Sequence, residues 1–91
     1  MQKRKRGQKV STTNIDKEIG LFIKHKRERK KSLTNGAWHQ EDVAKLLGVT
    51  VQQYQKYEKG TNKISLSTFI KLVNLLEFTD KDKLGIFEIT E

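Results

Sequence analysis

The stretch from Trp38 to Gly60, WHQEDVAKLLGVTVQQYQKYEKG, constrains this chain more than any other. It holds two short amphipathic segments separated by one glycine, Gly48, and closed by another, Gly60. The first segment, about Gln40 to Leu47, places Val43, Ala44 and Leu47 on one helical face. His39 falls at its N-cap, and Trp38 is spaced to pack on Val43 as a hydrophobic staple. Gly48 sits where a left-handed residue ends a helix. The second segment opens with Thr50 and Gln53 at capping-box spacing, and Val49 and Tyr54 at staple spacing. Tyr54 and Tyr57, three residues apart, share its inner face. Two helices joined by so short a turn must cross closely, and Ala44 supplies the small side chain that such a crossing needs.

The rest of the chain supplies partners for this pair. Thr13 and Asp16 have capping-box spacing, and Ile15, Ile19, Phe22 and Ile23 follow on one helical face. Gly20 weakens that helix slightly. The pattern fades through the basic run Lys24 to Lys31, whose charges are expected to face water, and Asn35-Gly36 marks a turn. A fourth helix starts at Ser65, with Phe69, Leu72, Val73 and Leu76 as its apolar stripe and Ile64 and Phe69 as its staple. Thr79 caps a final short turn through Leu84. The expectation is an all-α fold of about five short helices around one core. A basic N-terminal arm (1–12) precedes a main domain (13–84), and a short apolar tail (85–91) follows.

Composition narrows the chemistry. Ninety-one residues with 34% apolar side chains suit one small domain with a modest core. Without cysteine there is neither a disulfide framework nor a thiolate metal site. No stretch approaches the about 20 apolar residues of a membrane span, and no apolar run follows the basic start, so the expected location is a reducing cytoplasm. The two histidines, His25 and His39, fall in different elements, and no nucleophile elbow or phosphate loop is present. Catalytic residues, a metal and a cofactor are therefore not expected. Charge is uneven. Residues 1–31 hold twelve Lys or Arg against three acids, whereas residues 32–91 hold seven against eight. Such asymmetry suits a polyanionic partner. The KRKR run (Lys3 to Arg6) reads equally as a solvated, disordered tail or as an arm contacting phosphates or a minor groove.

Taken together, these features give the sequence form of a helix-turn-helix, in which the second helix can enter the DNA major groove. With Tyr54 and Tyr57 inside, Val51, Gln52, Gln53, Gln55 and Lys56 remain outside. A glutamine amide pairs its donor and acceptor with the adenine N6/N7 edge, valine contacts a thymine methyl, and lysine reaches guanine or a phosphate. The same face could also be only a solvated surface, which is the default for an amphipathic helix.

From Ile19 to Phe78 the chain resembles the bacterial and phage helix-turn-helix family of the Cro protein and the phage repressors, often called XRE-type regulators. The matching residues are Gln40, Ala44, Leu47-Gly48-Val49-Thr50, Tyr57-Glu58-Lys59-Gly60 and the Leu66 to Leu76 helix. The segment GVTVQQYQKYEKGTNKIS is most like α-proteobacterial members. The resemblance implies a lambda-repressor-like fold, with Val51, Gln52 and Lys56 facing bases and Gln55 beside them. It implies phosphate contacts from Gln40, Gln53, Lys59, Asn62 and Lys63, and an ion pair between Arg27 and Glu58. The chain departs from the family pattern in a basic insert around ERKKSLTNG, in His39 and Trp38, and in the absence of a proline near Ile64. The insert either lengthens the first helix or forms a loop.

The expected function is sequence-specific recognition of double-stranded DNA by a dimeric transcriptional regulator. Glutamine and valine without arginine on the reading helix point to A·T-leaning sites. Leu84, Ile86, Phe87 and Ile89 are the candidate dimer surface, unless they fold back on the core. The alternative is an antitoxin-type regulator that also binds a protein partner through this segment. Non-specific nucleic-acid binding by residues 1–31 alone is a third reading, and it predicts steep salt dependence with little sequence preference.

Overall fold

The local signals of the central segments dictate helices, and a computed structural model of the chain, which describes residues 14–89, places them there. The expected arm (1–12), the proposed cap Thr13 and the last two residues of the tail lie outside the described residues. Among the described residues there are five helices and no strand. They are α1 (Asn14–Leu33), α2 (Gln40–Leu47), α3 (Val51–Lys59), α4 (Leu66–Leu75) and α5 (Asp80–Phe87).

Capping follows the sequence. Thr50 Oγ1 accepts from the Gln53 N–H at 3.0 Å, and Ser65 Oγ accepts from the Thr68 N–H at 3.2 Å. Thr79 and Asp82 exchange both capping-box bonds, at 3.1 and 2.8 Å. His39 behaves differently: its own N–H donates to Asp42 Oδ2 at 2.8 Å, so the carboxylate three residues on closes the start of α2. These bonds satisfy donors that the first helical turn leaves without a partner.

The core forms where the four apolar stripes meet Phe78 and the end of α5. Ile23, Val43, Tyr54 and Leu72 are fully buried, with Ala44, Leu47, Tyr57, Leu76, Phe78 and Ile86 around them. Phe69 and Phe78 meet edge to face, their centroids 6.1 Å apart. Trp38 is half-buried against this core, as expected of a residue in the staple position, although its backbone takes a positive φ of 68°.

Two expectations are corrected. The basic run does not simply face water. α1 continues unbroken to Leu33, so the insert lengthens the helix, and the run buries Arg27. Lys30 Nζ donates to the Leu75 carbonyl at 2.9 Å and to Glu77 Oε2 at 2.8 Å, and it lies 4.3 Å from the Trp38 ring centroid. A cation at this place satisfies a carbonyl at the C-terminal end of α4 and complements its dipole. Lys26 likewise pairs with Asp82 at 2.8 Å. The second correction concerns the C-terminal end. α5 does not stop at Leu84 but runs to Phe87, because Ile86 falls on the inner face of the capped helix and is buried in the core. Leu84 and Phe87 remain exposed.

Gly20 is more than a weak helix former. A Cβ built there would stand 2.5 Å from the Glu58 carbonyl oxygen and 2.6 Å from that of Tyr57. Only the missing side chain lets α1 press on the end of α3. In an exposed helix Gly→Ala gains about 1 kcal/mol. Here Gly20→Ala should instead lower stability by about 1–3 kcal/mol through overpacking. Urea denaturation checks this: an unchanged or raised midpoint would mean that the helices are not in backbone contact.

Candidate nucleic-acid interface

The turn between α2 and α3 is only three residues long. Gly48 adopts φ 76°, a left-handed conformation that a side chain would strain, and its N–H donates to the Lys45 carbonyl at 3.2 Å. The Val49 N–H then donates to the Ala44 carbonyl at 3.0 Å, and Val49 packs against the core. The chain reverses within one turn, and the small Ala44 side chain is buried in the core together with Tyr54 and Tyr57. Tyr54 and Tyr57 point inward, which settles what α3 presents outward.

Beneath α3 lies a polar network built from three helices. The Glu58 carboxylate is buried. It accepts from Arg27 Nε at 2.6 Å and from a second Arg27 guanidinium nitrogen at 3.2 Å. It also accepts from Gln40 Nε2 at 2.9 Å and from the Tyr54 hydroxyl. Arg27 reaches the Trp38 carbonyl as well, at 3.5 Å. Burial opposes the charge of Glu58, but the hydrogen bonds from Arg27, Tyr54 and Gln40 outweigh it and hold the carboxyl below the usual glutamate range. Burial also opposes the charge on Arg27, and the bond to Glu58 more than restores it. Burial and the bond to Glu58 both push the Tyr54 phenol up, so it stays a neutral donor.

The residues proposed from sequence fall into two groups. Gln52, Lys56, Lys59 and Lys63 are exposed. Val51, Gln53, Gln55, Gln40 and Asn62 are half-buried, and Val51 packs on the core, so it is less free than an outward position implies. The Gln55 amide donates to Gln40 Oε1 at 3.1 Å, extending the network onto the face of α3. Gln40 therefore stands between the buried carboxylate and the outer helix. Lys63 pairs with Asp16 at 2.9 Å rather than standing free, and Asn62 lines an apolar groove with Ile15, Ile19 and Phe69.

Sequence reasoning missed Lys17 and Lys24. Together with Leu21, Gln40, Gln55, Glu58 and Lys59 they line a cleft of about 390 Å³ between α1 and the α2–α3 pair. The signal was available, since residues 17, 21 and 24 have helical spacing opposite the apolar face of α1. It was hidden by the evenly basic composition around it.

The network predicts two outcomes. Arg27→Ala strands a buried carboxylate and should cost about 3–5 kcal/mol, read as a shift of the urea midpoint at neutral pH. In the parent chain, a lowered carboxyl favours the folded state wherever the unfolded chain would bind the proton. Stability should therefore be fully present above the ordinary carboxylate range and be lost as pH falls below it, through the depressed folded value of Glu58. An acid titration of the urea midpoint that stayed flat through this range would contradict the coupling.

Residues 23–84 match the family model described as helix-turn-helix. Among curated proteins, an uncharacterized HTH-type transcriptional regulator of Sinorhizobium medicae is 37% identical over 62 residues, covering 68% of this chain and 40% of that protein. A regulator of Rhizobium meliloti matches to the same extent. An uncharacterized transcriptional regulator in the ATPase CF(0) region of Rhodospirillum rubrum is 35% identical over 63 residues, covering 69% of this chain and 53% of that protein. The chain thus spans about half or less of the length of these relatives. No solved structure gives a significant match. The five-helix fold, the glycine turn over Ala44 and these matches place the chain in the XRE-type helix-turn-helix family of transcriptional regulators.

Proposed function

We propose that the chain binds double-stranded DNA sequence-specifically and regulates transcription as a dimer, with α3 in the major groove. One observation carries this reading: α3 is anchored from behind by Gln40, Glu58 and Arg27 and offers Gln52 and Lys56 outward. A reading helix must be held rigidly if its side chains are to discriminate, since each good bidentate base contact contributes about 1–3 kcal/mol. Gln52 and Lys56 are assigned to base edges, with Val51 and Gln55 beside them. Gln40, Gln53, Lys59, Asn62 and Lys63 are assigned to the backbone. For Lys63 this requires exchanging an exposed ion pair for a phosphate, which is cheap because such pairs contribute about 0–1 kcal/mol. None of the described helices is long and apolar enough to cross a membrane.

The dimer contact is assigned to the C-terminal end of α5. Phe87 is 83% exposed beside the apolar groove lined by Ile15, Ile64, Leu66 and Phe69. A knob and a groove on the same face suit a two-fold contact, in which the same patch serves both copies. A protein partner, as in an antitoxin, would compete for this surface.

Selection of bound sites from a randomised duplex library, at one fixed salt concentration, tests the reading. The expected product is a two-fold symmetric, A·T-leaning motif with half-sites about 10 base pairs apart. Gln52→Ala should relax discrimination among selected sites, and Gln40→Ala should weaken binding evenly across them. Equal behaviour of the two variants would refute the division into base and phosphate contacts. Phe87→Asp should shift sedimentation mass towards the monomer. A parent chain that stays monomeric up to DNA-binding concentrations would rule out the dimer.

A further inference from the structure

The cleft between α1 and α3 is chemically one-sided. Lys17 and Lys24 line its α1 wall and Lys59 its α3 wall, and all three side chains are exposed. The carboxylate at its floor, Glu58, is neutralised by Arg27 in a buried pair, so it does not offset the lysines. Among the described residues, Lys17, Lys24 and Lys59 form no ion pair, whereas Lys26, Lys30 and Lys63 are each matched to an acid. The cleft also offers neutral donors. Gln40 Nε2 gives one N–H to Glu58 and Gln55 Nε2 gives one to Gln40, leaving a second N–H on each amide. Three ammonium groups and two amide donors around one open cleft, with no unneutralised acceptor charge, suit an anion. Gln55 belongs both to this cleft and to the reading helix, so an anion bound there lies alongside DNA engaged by α3.

We propose that Lys17 and Lys24 make α1 a third DNA-contacting element, holding a backbone phosphate of the bound duplex in this cleft together with Lys59. This rests on the reading of α3 as the DNA-facing helix. Lys17 lies outside the residues matched by the family model, 23–84, and Lys24 just inside them. An ammonium on a flexible stem acts on phosphate as a point charge, so the contribution is to affinity and register, not to base choice.

The test is the salt dependence of binding to the selected duplex, for the full chain and for Lys17→Ala/Lys24→Ala. Each phosphate contact contributes about 0.9 to the slope of log K against log salt. The double variant should lose about 0.9 of that slope per protomer, so that its affinity falls roughly 3.5-fold less between 50 and 200 mM salt. Its ranking of base-substituted sites should not change, its urea midpoint should match the parent's, and Lys17→Arg/Lys24→Arg should keep the parent slope. Lys71→Ala/Lys81→Ala, which removes two lysines that do not line the cleft, is the control for net charge. An unchanged slope in the double variant, or an equal loss in the control, overturns the assignment while leaving the α3 reading intact. A parent chain that enriches no duplex sequence overturns both.

Discussion

A buried carboxylate is costly unless it is fully partnered, and the geometry of this domain follows from meeting that requirement at Glu58. Its partners come from three helices: Arg27 from α1, Gln40 from α2, and Tyr54 from α3 itself. Each donor must arrive within hydrogen-bonding distance, so satisfying one side chain fixes the mutual orientation of three helices. A hydrophobic residue of similar size could pack as stably, because the desolvation of a buried pair commonly cancels its attraction. What such a residue could not do is make the position of α3 depend on the first residue of α2. The network therefore contributes orientation, and the apolar core contributes the stability.

That core is small, which explains why backbone contacts and caps matter. α1 presses on the end of α3 at Gly20, where no side chain separates the two helix backbones. The lengthened end of α1 would project from the domain without Lys30, which ties it to the end of α4 and stacks over Trp38. The same residue satisfies a helix C-terminus and closes over an aromatic ring. The basic insert is thus partly integrated into the fold.

What could be read in the sequence depended on how local the cause was. α2, α3 and α4 were legible because their caps, staples and glycine ends lie within a few residues of one another, as at Thr50 and Gln53. The extent of α1 was not, since the partners that bury Arg27 and engage Lys30 are 31 and 45 residues away. A lysine that will reach a distant carbonyl looks, in sequence, like one that will face water. The end of α5 was hidden for a related reason: Gly85 and the apolar residues after it read as a tail until Ile86 meets the core. At the candidate site, the exposure of Gln52 and Lys56 was legible from the inward tyrosines, but the packing of Val51 on the core was not. The bond between Gln55 and Gln40 was not, because it depends on how α2 and α3 pack.

The uneven charge of the chain acquires a direction once the helices are packed. On α1, Lys26 and Lys30 turn towards α5 and the end of α4, where Asp82 and Glu77 meet them. Lys17 and Lys24 line the cleft beside α3, where the carboxylate at its floor, Glu58, is already held by Arg27. Lys26 and Lys30 on one face of the helix are paired with acids of the fold, whereas Lys17 and Lys24 on the other form no ion pair among the described residues. A field shaped in this way attracts a polyanion to one side of the molecule and orients it during approach. In the reading proposed above, that side is the one on which α3 stands. The pairing that stabilises the domain and the absence of pairing beside α3 are two parts of one charge arrangement, and the second has value only because the first confines it.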